Sequence, residues 1–175
     1  GPTWCYELHS TDFPILEFNL RELGQARAFK MDGFRGAETF HRMWRAKEPT
    51  LILVDPPYEI RSEYEGTLKF AEFVALRRMA TRKGAPVSLM VWLPHLRNRR
   101  ESANLIKSLR KTYDRARVPW LVARFDKESE EALPRGMFGS SVFVAHPPPG
   151  LAPALNSLMA PLSDVLGAHS FAMDP

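Results

Sequence analysis

Leu51-Ile52-Leu53-Val54-Asp55-Pro56-Pro57-Tyr58-Glu59 is the stretch on which the fold turns. Four consecutive apolar residues read as a strand buried on both faces, the kind found in a parallel sheet. Two prolines then remove consecutive backbone donors and fix φ, so the chain must leave the sheet after Asp55. In an open α/β sheet, ligands bind beyond the carboxyl ends of the strands. Residues 55–58 therefore read as a site rather than a connection.

The elements on either side have the same alternating character. Thr3 to Glu7 is β-prone and ends in an acid, and Phe13 to Leu23 carries apolar residues at helical spacing until Gly24. Ala26 to Met31 is a second short strand that stops at the turn signal Asp32-Gly33. A helix is expected over 36–47, and the longest helical pattern runs from Ser62 to Arg82. Val87 to Leu93 reads as a strand halted by Pro94, and Arg97 to Lys111 as a basic helix with Leu105 and Leu109 facing inward. Trp120 to Phe125 and Ser140 to His146 are strands separated by an acidic connection. Leu151 to Leu166 is an amphipathic helix interrupted by Pro153 and Pro161, and Ser170 to Met173 a last strand. The order β-α-β-α-β-α-β-α-β-β-α-β predicts an α/β fold whose early strands are parallel.

A chain of 175 residues, 45% of them hydrophobic, is long enough for one domain with a real core. Its formal charge of +4 is unevenly spread. Residues 61–124 hold 15 Lys/Arg against 5 Asp/Glu, whereas residues 1–60 hold 7 against 9 and residues 125–175 hold 2 against 6. A central excess of +10 suits a polyanion, although solvated helix faces would give the same count. The single cysteine, Cys5, excludes an intrachain disulfide and a cysteine-based metal site. His9, His41, His95, His146 and His169 lack metal-ligand spacing and read as capping or surface residues, so no metal is expected. No Ser-His-Asp or Cys-His set can be assembled from the sequence. No membrane span or secretory signal is visible in the sequence.

Three strands are expected to end in an acid at one sheet edge: Glu7, Asp32 and Asp55. An acid just past a strand end can accept both hydroxyls of a ribose. Asp32 with Gly33 and Phe34 could bind an adenine amino group against an apolar wall. Asp55-Pro56-Pro57-Tyr58 supplies what methylation of an exocyclic amine needs. The lone pair of such an amine is delocalised into its ring, so it attacks poorly until its hydrogens are held out of conjugation. The Asp55 carboxylate and the Pro56 carbonyl can each accept one N–H, aligning the lone pair with an incoming methyl group. Tyr58 can stack on the base, which must be extruded or single-stranded to arrive there. Met137-Phe138, between two glycines, could close over the base or simply form a hairpin turn.

Tyr6-Glu-Leu-His9 followed by Ser-Thr-Asp-Phe-Pro, Met31-Asp-Gly-Phe34, Leu51 to Glu59, Val91-Trp-Leu-Pro94, and Gly136-Met137 before Ser140 resemble the RlmJ family in order and spacing over nearly the whole chain. That family comprises S-adenosylmethionine-dependent methyltransferases acting on the N6 of an adenine in large-subunit ribosomal RNA. The resemblance implies a Rossmann-like class I methyltransferase fold. It implies Glu7, Leu8, Asp32, Gly33 and Phe34 as cofactor-binding residues and Asp55, Pro56, Pro57 and Tyr58 as the catalytic motif. Ser10 stands where the family usually has proline, and Pro149 where an aromatic usually follows. Arg97, Arg99 and Arg100, just past the strand end at Pro94, are the expected RNA contacts.

The family's first strand lies between those that here end at Glu7 and Asp55, and its glycine-rich turn cradles the cofactor's methionine part. Neither precedes Thr3, so the fold is expected to be incomplete, with residues 1–175 the C-terminal part of one methyltransferase domain. Gly1-Pro2 could be a scar of tag removal. A sheet without its central strand would expose unpaired backbone groups at two edges, so a further segment or a partner chain is expected to complete it. The alternatives are a degenerate, inactive scaffold, for instance in ribosome assembly, and a general RNA-binding module. The setting is cytoplasmic, or the mitochondrial matrix if the protein is organellar.

Overall fold

The computed structural model describes residues 1–36, 49–80, 86–97, 100–126, 136–166 and 170–174. The expected helix over 36–47 and the acidic connection after Asp126 fall almost wholly outside them. The chain divides into two compact units, Gly1–Ala46 and Lys47–Pro175, each described here by itself.

In the first unit, β1 (Thr3–Glu7) and β2 (Ala26–Lys30) pair in parallel, with Glu7 opposite Lys30. Helix α1 (Asp12–Leu20) and a short 3-10 turn over Arg21–Leu23 connect them, and Gly24 reverses the chain with φ of 57°. Such a value is open to glycine at little steric cost. The core of this unit is aromatic: Tyr6 stacks on Phe29 at 5.5 Å and Trp4 meets Phe29 edge-on at 6.4 Å.

The second unit is a five-stranded sheet of order β3-β4-β6-β5-β7. Its strands are β3 (Thr50–Val54), β4 (Val87–Leu96), β5 (Trp120–Asp126), β6 (Met137–Ala145) and β7 (Ser170–Asp174). Strand β3 runs parallel to β4, and the remaining pairings are antiparallel. The parallel step is made by α2 (Arg61–Ala80), and α3 (Glu101–Ala116) leads from β4 to β5. Alternate residues of β4, Leu89, Val91 and Leu93, are fully buried, each worth roughly 1.5–3 kcal/mol of apolar transfer. They form the core with Leu105 and Leu109 of α3 and with Phe143 of β6. Tyr113 ties the two helices together by donating to the carbonyl of Ala71 at 3.1 Å.

Four expectations are corrected. Strand β3 is not buried on both faces: Leu51 and Leu53 are 61% and 60% exposed, because only the face carrying Ile52 and Val54 is covered. Strand β4 does not stop at Pro94 but continues to Leu96. Its ladder with β3 ends at Val91, so past that point one flank needs no N–H donor. The basic helix is shifted toward the C-terminus, because Tyr113 prolongs the buried stripe of Leu105 and Leu109 until Arg117, in the left-handed region at φ of 53°, ends it. Helix α4 (Leu151–Leu166) is continuous. Pro153 lies in its first turn, where a missing N–H costs nothing, and Pro161 deletes one bond on an exposed face. Among the described residues no helix is long and apolar enough to cross a membrane.

Candidate active site

The exit of β3 is built by its helix as much as by its prolines. Ile60 precedes α2, and its backbone N–H donates to the Glu63 side chain at 3.1 Å while the N–H of Glu63 donates to the Ile60 carbonyl at 3.2 Å. This is the Glu half of a capping box, which pins the point where the loop becomes a helix. Residues 55–59 are held between that cap and Val54. Asp55 is exposed and Pro56 half-buried, so a carboxylate and a carbonyl stand at the carboxyl end of β3, as the amine-positioning chemistry requires. Partial desolvation pushes the Asp55 carboxyl above the ordinary aspartate value.

Tyr58 departs from expectation. Its backbone is left-handed, with φ of 55°, which turns the side chain inward, and the residue is 1% exposed. The ring lies 4.7 Å from that of Tyr64. Its hydroxyl is 3.4 Å from Thr67 Oγ1, which itself donates to the Glu63 carbonyl at 2.8 Å, so Tyr58 is the donor. Burial raises the phenol's pKa more than Thr67 lowers it. In this arrangement the ring props the loop from beneath and presents no face to a base. Tyr64 is among the residues of the 62–82 pattern that the sequence offers for packing, whereas Thr67, three residues on along one face of α2, does not stand out in the sequence.

In the first unit, the expected cofactor residues gather at one edge of the two-stranded sheet, because β1 and β2 are parallel and in register. Glu7 is half-buried, and its Oε1 accepts from the backbone N–H of His9 at 2.6 Å. Leu8 beside it is 67% exposed. Asp32 is half-buried; its Oδ1 accepts from the N–H of Phe34 at 2.8 Å and its carbonyl from that of Arg35 at 3.0 Å, shaping a 3-10 turn over Gly33–Gly36. Gly36 packs on Tyr6 so closely that a Cβ there would lie 3.1 Å from the ring. The donor set suits an adenosine: carboxylates for hydroxyls and an amino group, with Leu8 and Phe34 as apolar neighbours. The three acids are not at one sheet edge: Glu7 and Asp32 follow strands of the two-stranded sheet, and Asp55 follows β3 of the five-stranded sheet.

The second unit also brings together residues that the sequence reading separated. His95 is buried, with Nδ1 2.6 Å from Asp126 Oδ1 and Nε2 2.8 Å from Ser141 Oγ. Arg124 Nε donates to the other oxygen of Asp126, and Phe138 lies 5.7 Å from the imidazole. His95 is thus neither a cap nor a surface residue, and a Ser-His-Asp array does form. Ser141 is 1% exposed and no substrate can reach it, so the array is a satisfied polar link joining β4, β5 and β6. Only strand pairing could have revealed it, since Asp126 and Ser141 are 31 and 46 positions from His95 along the chain. Of the expected RNA contacts, Arg97 is half-buried and Arg100 exposed, and Arg99 lies outside the described residues.

The family model described as "Ribosomal RNA large subunit methyltransferase D, RlmJ" matches residues 3–172. The chain belongs to this family. Two RlmJ relatives, each named ribosomal RNA large subunit methyltransferase J, show how far the likeness extends. That of Escherichia coli is 29% identical over 154 residues, which cover 87% of this chain and 50% of the relative. That of Haemophilus influenzae is 27% identical over 161 residues, covering 91% and 52%. The chain therefore spans about half the length of these RlmJ relatives. A crystal structure of a Legionella pneumophila protein superposes with a TM-score of 0.74 at 18% identity, covering 99% of this chain and 59% of that one. The fold is accordingly Rossmann-like and of the methyltransferase type.

Proposed function

We propose that this chain carries the amine-positioning motif of an S-adenosylmethionine-dependent enzyme that methylates the N6 of an adenine in large-subunit ribosomal RNA. The observation that supports this most is the exit of β3, where the exposed Asp55 carboxylate and the Pro56 carbonyl stand on a loop held by the Glu63 cap. Each accepts one N–H of the adenine amine, and Asp55 stabilises the positive charge that develops on nitrogen. Pro57 keeps the backbone from folding back over that space, and Tyr58 with Tyr64 supports the loop from below. The bound cofactor supplies an electrophilic methyl group. Glu7 and Asp32 hold its adenosine by hydroxyls and amino group, between Leu8, Gly33 and Phe34. Arg97, Arg99 and Arg100 meet the RNA backbone beyond β4.

The edge of β3 supports a second part of this reading. Among the described residues no strand pairs with the outer flank of β3, which suits a parallel strand from a further segment or a partner chain that would complete the sheet. The enzyme acts in the cytoplasm. Transfer of labelled methyl from S-adenosylmethionine to unmodified ribosomal RNA, with the completing segment present, should occur and should vanish in Asp55→Ala. Unchanged transfer in that variant would remove Asp55 from the mechanism.

The inward-turned Tyr58 favours a second reading, an inactive scaffold of methyltransferase descent. It requires that calorimetry detect no S-adenosylmethionine binding even with the sheet completed. Measurable binding that is lost in Glu7→Ala eliminates it.

A further inference from the structure

Part of the charge excess of residues 61–124 forms an ordered feature on α3. Ser102, Leu105, Leu109 and Tyr113 are buried and define the inward side of that helix. At 100° per residue, the opposite side is centred on Arg100, Lys107, Lys111 and Arg115, all exposed, with the exposed Asn104 among them. Arg110 is not part of this face, since its guanidinium lies over the Trp120 ring, 5.1 Å from the centroid. Glu101 lies at the helix start, off to one flank, and the one acid on the face, Asp114, accepts from Trp120 Nε1 at 2.8 Å. The face is otherwise cations and a neutral amide.

An ordinary solvated helix face looks different, and α2 of the same unit shows how. There Arg61 pairs with Glu65 at 2.9 Å, an i,i+4 contact that supports the helix. On α3 the i,i+4 neighbours of Lys111 are Lys107 and Arg115, and Asp114, at i,i+3, is engaged by Trp120. A row of adjoining cations fits a polyanion that neutralises it. The stripe also has a direction. Strands β3 and β4 are parallel, so Asp55 and the start of α3 lie toward the same end of the sheet. From Arg100 the cations run back along the flank for about 22 Å, the last three about 6 Å apart along the axis.

We propose that this face of α3 is a phosphate track that holds the single-stranded RNA flanking the target nucleotide. The inference rests on the ribosomal RNA reading above and adds to it a surface well beyond the motif. Lys107, Lys111 and Arg115 each neutralise one phosphate of an extended strand, and Asn104 offers a neutral hydrogen-bonding group between them. Contacts of this kind set affinity and register without reading sequence.

The test measures binding of the chain to a fluorescein-labelled oligoadenylate of about 20 nucleotides by anisotropy, over roughly 50–200 mM KCl. Each phosphate contact with a single strand contributes about 0.7 to the slope of log K against log salt, equivalent to about fivefold in affinity at 0.1 M. The triple variant K107Q/K111Q/R115Q should therefore lose about 2 from the slope and bind about 100-fold more weakly at 0.1 M. Gln keeps the helix propensity of Lys and Arg, and an unchanged far-UV spectrum verifies folding. R21Q/R27Q/K69Q, which removes the same charge from exposed positions elsewhere, should stay within about threefold of wild type. Equal binding by wild type and K107Q/K111Q/R115Q would overturn the track and leave the methyl-transfer reading intact. Equal weakening in both triple variants would overturn it as well, by reducing the effect to net charge. A wild-type chain that binds no RNA would take down both the track and the RNA reading.

Discussion

Replacing Tyr58 tests whether the ring that follows Asp55-Pro56-Pro57 is a base platform or a structural prop. The ring is 1% exposed and lies 4.7 Å from that of Tyr64. Truncating a buried aromatic to alanine costs about 3–5 kcal/mol in lost transfer energy and residual cavity. About 0.5–1.5 kcal/mol of the loss here would come from the aromatic pair itself. The left-handed backbone at φ of 55° strains Tyr and Ala alike, so it cancels from Tyr58→Ala. Tyr58→Phe removes only the long 3.4 Å hydrogen bond to Thr67, whose hydroxyl keeps its bond to the Glu63 carbonyl. Its cost should be about 0.5 kcal/mol, the weak end for a hydrogen bond. Urea unfolding followed by far-UV circular dichroism gives both values from the midpoints at constant m. Tyr58→Ala should be the more severe by about 3 kcal/mol or more, and Tyr58→Phe should retain methyl transfer. A cost below about 1 kcal/mol for Tyr58→Ala would place the ring at the surface and refute the prop.

Further outcomes follow from the same unit. Gly139→Ala would drive its Cβ into the Phe125 carbonyl and the Asp126 carboxylate; about 1–3 kcal/mol of destabilisation is expected from overpacking, and an unchanged unfolding midpoint would contradict the β5–β6 register. His95→Leu leaves Ser141 Oγ and Asp126 Oδ1 facing an apolar side chain, and thermal unfolding should register a loss of about 1–3 kcal/mol. Asp55 has a raised pKa when folded, so its protonated form is favoured by the fold; the corresponding stability is present at low pH and is lost as pH rises through the folded value. Asp55→Asn should therefore equal wild type in stability at acid pH and exceed it at neutral pH, while methyl transfer is lost. A variant less stable than wild type at pH 7 would reverse the sign.

Much of the fold was legible because it is written in local terms. Acid-then-proline at 55–57, glycine at 24 and the alternation of β4 are each a consequence of a few adjacent side chains. The parallel order of the early strands follows from the helices between them. Where local reading failed, the deciding contact was distant in sequence. Pro94 reads as a strand end because a proline lacks an N–H, and the ending of the β3 ladder at Val91 makes that lack harmless. His95 looked like a surface residue because Asp126 and Ser141 reach it only through strand pairing.

The sequence by itself determined the chemical offer of this protein: a carboxylate and a proline carbonyl leaving the sheet together, two further acids at strand ends, and a basic middle. These depend on residue type and on backbone rules that act over three or four positions. Tertiary structure alone decided which way each group faces. It turned Tyr58 under the loop and left Leu51 and Leu53 exposed on one face of β3. Burial is a property of what packs against a residue, and the packing partners here come from other elements of the chain.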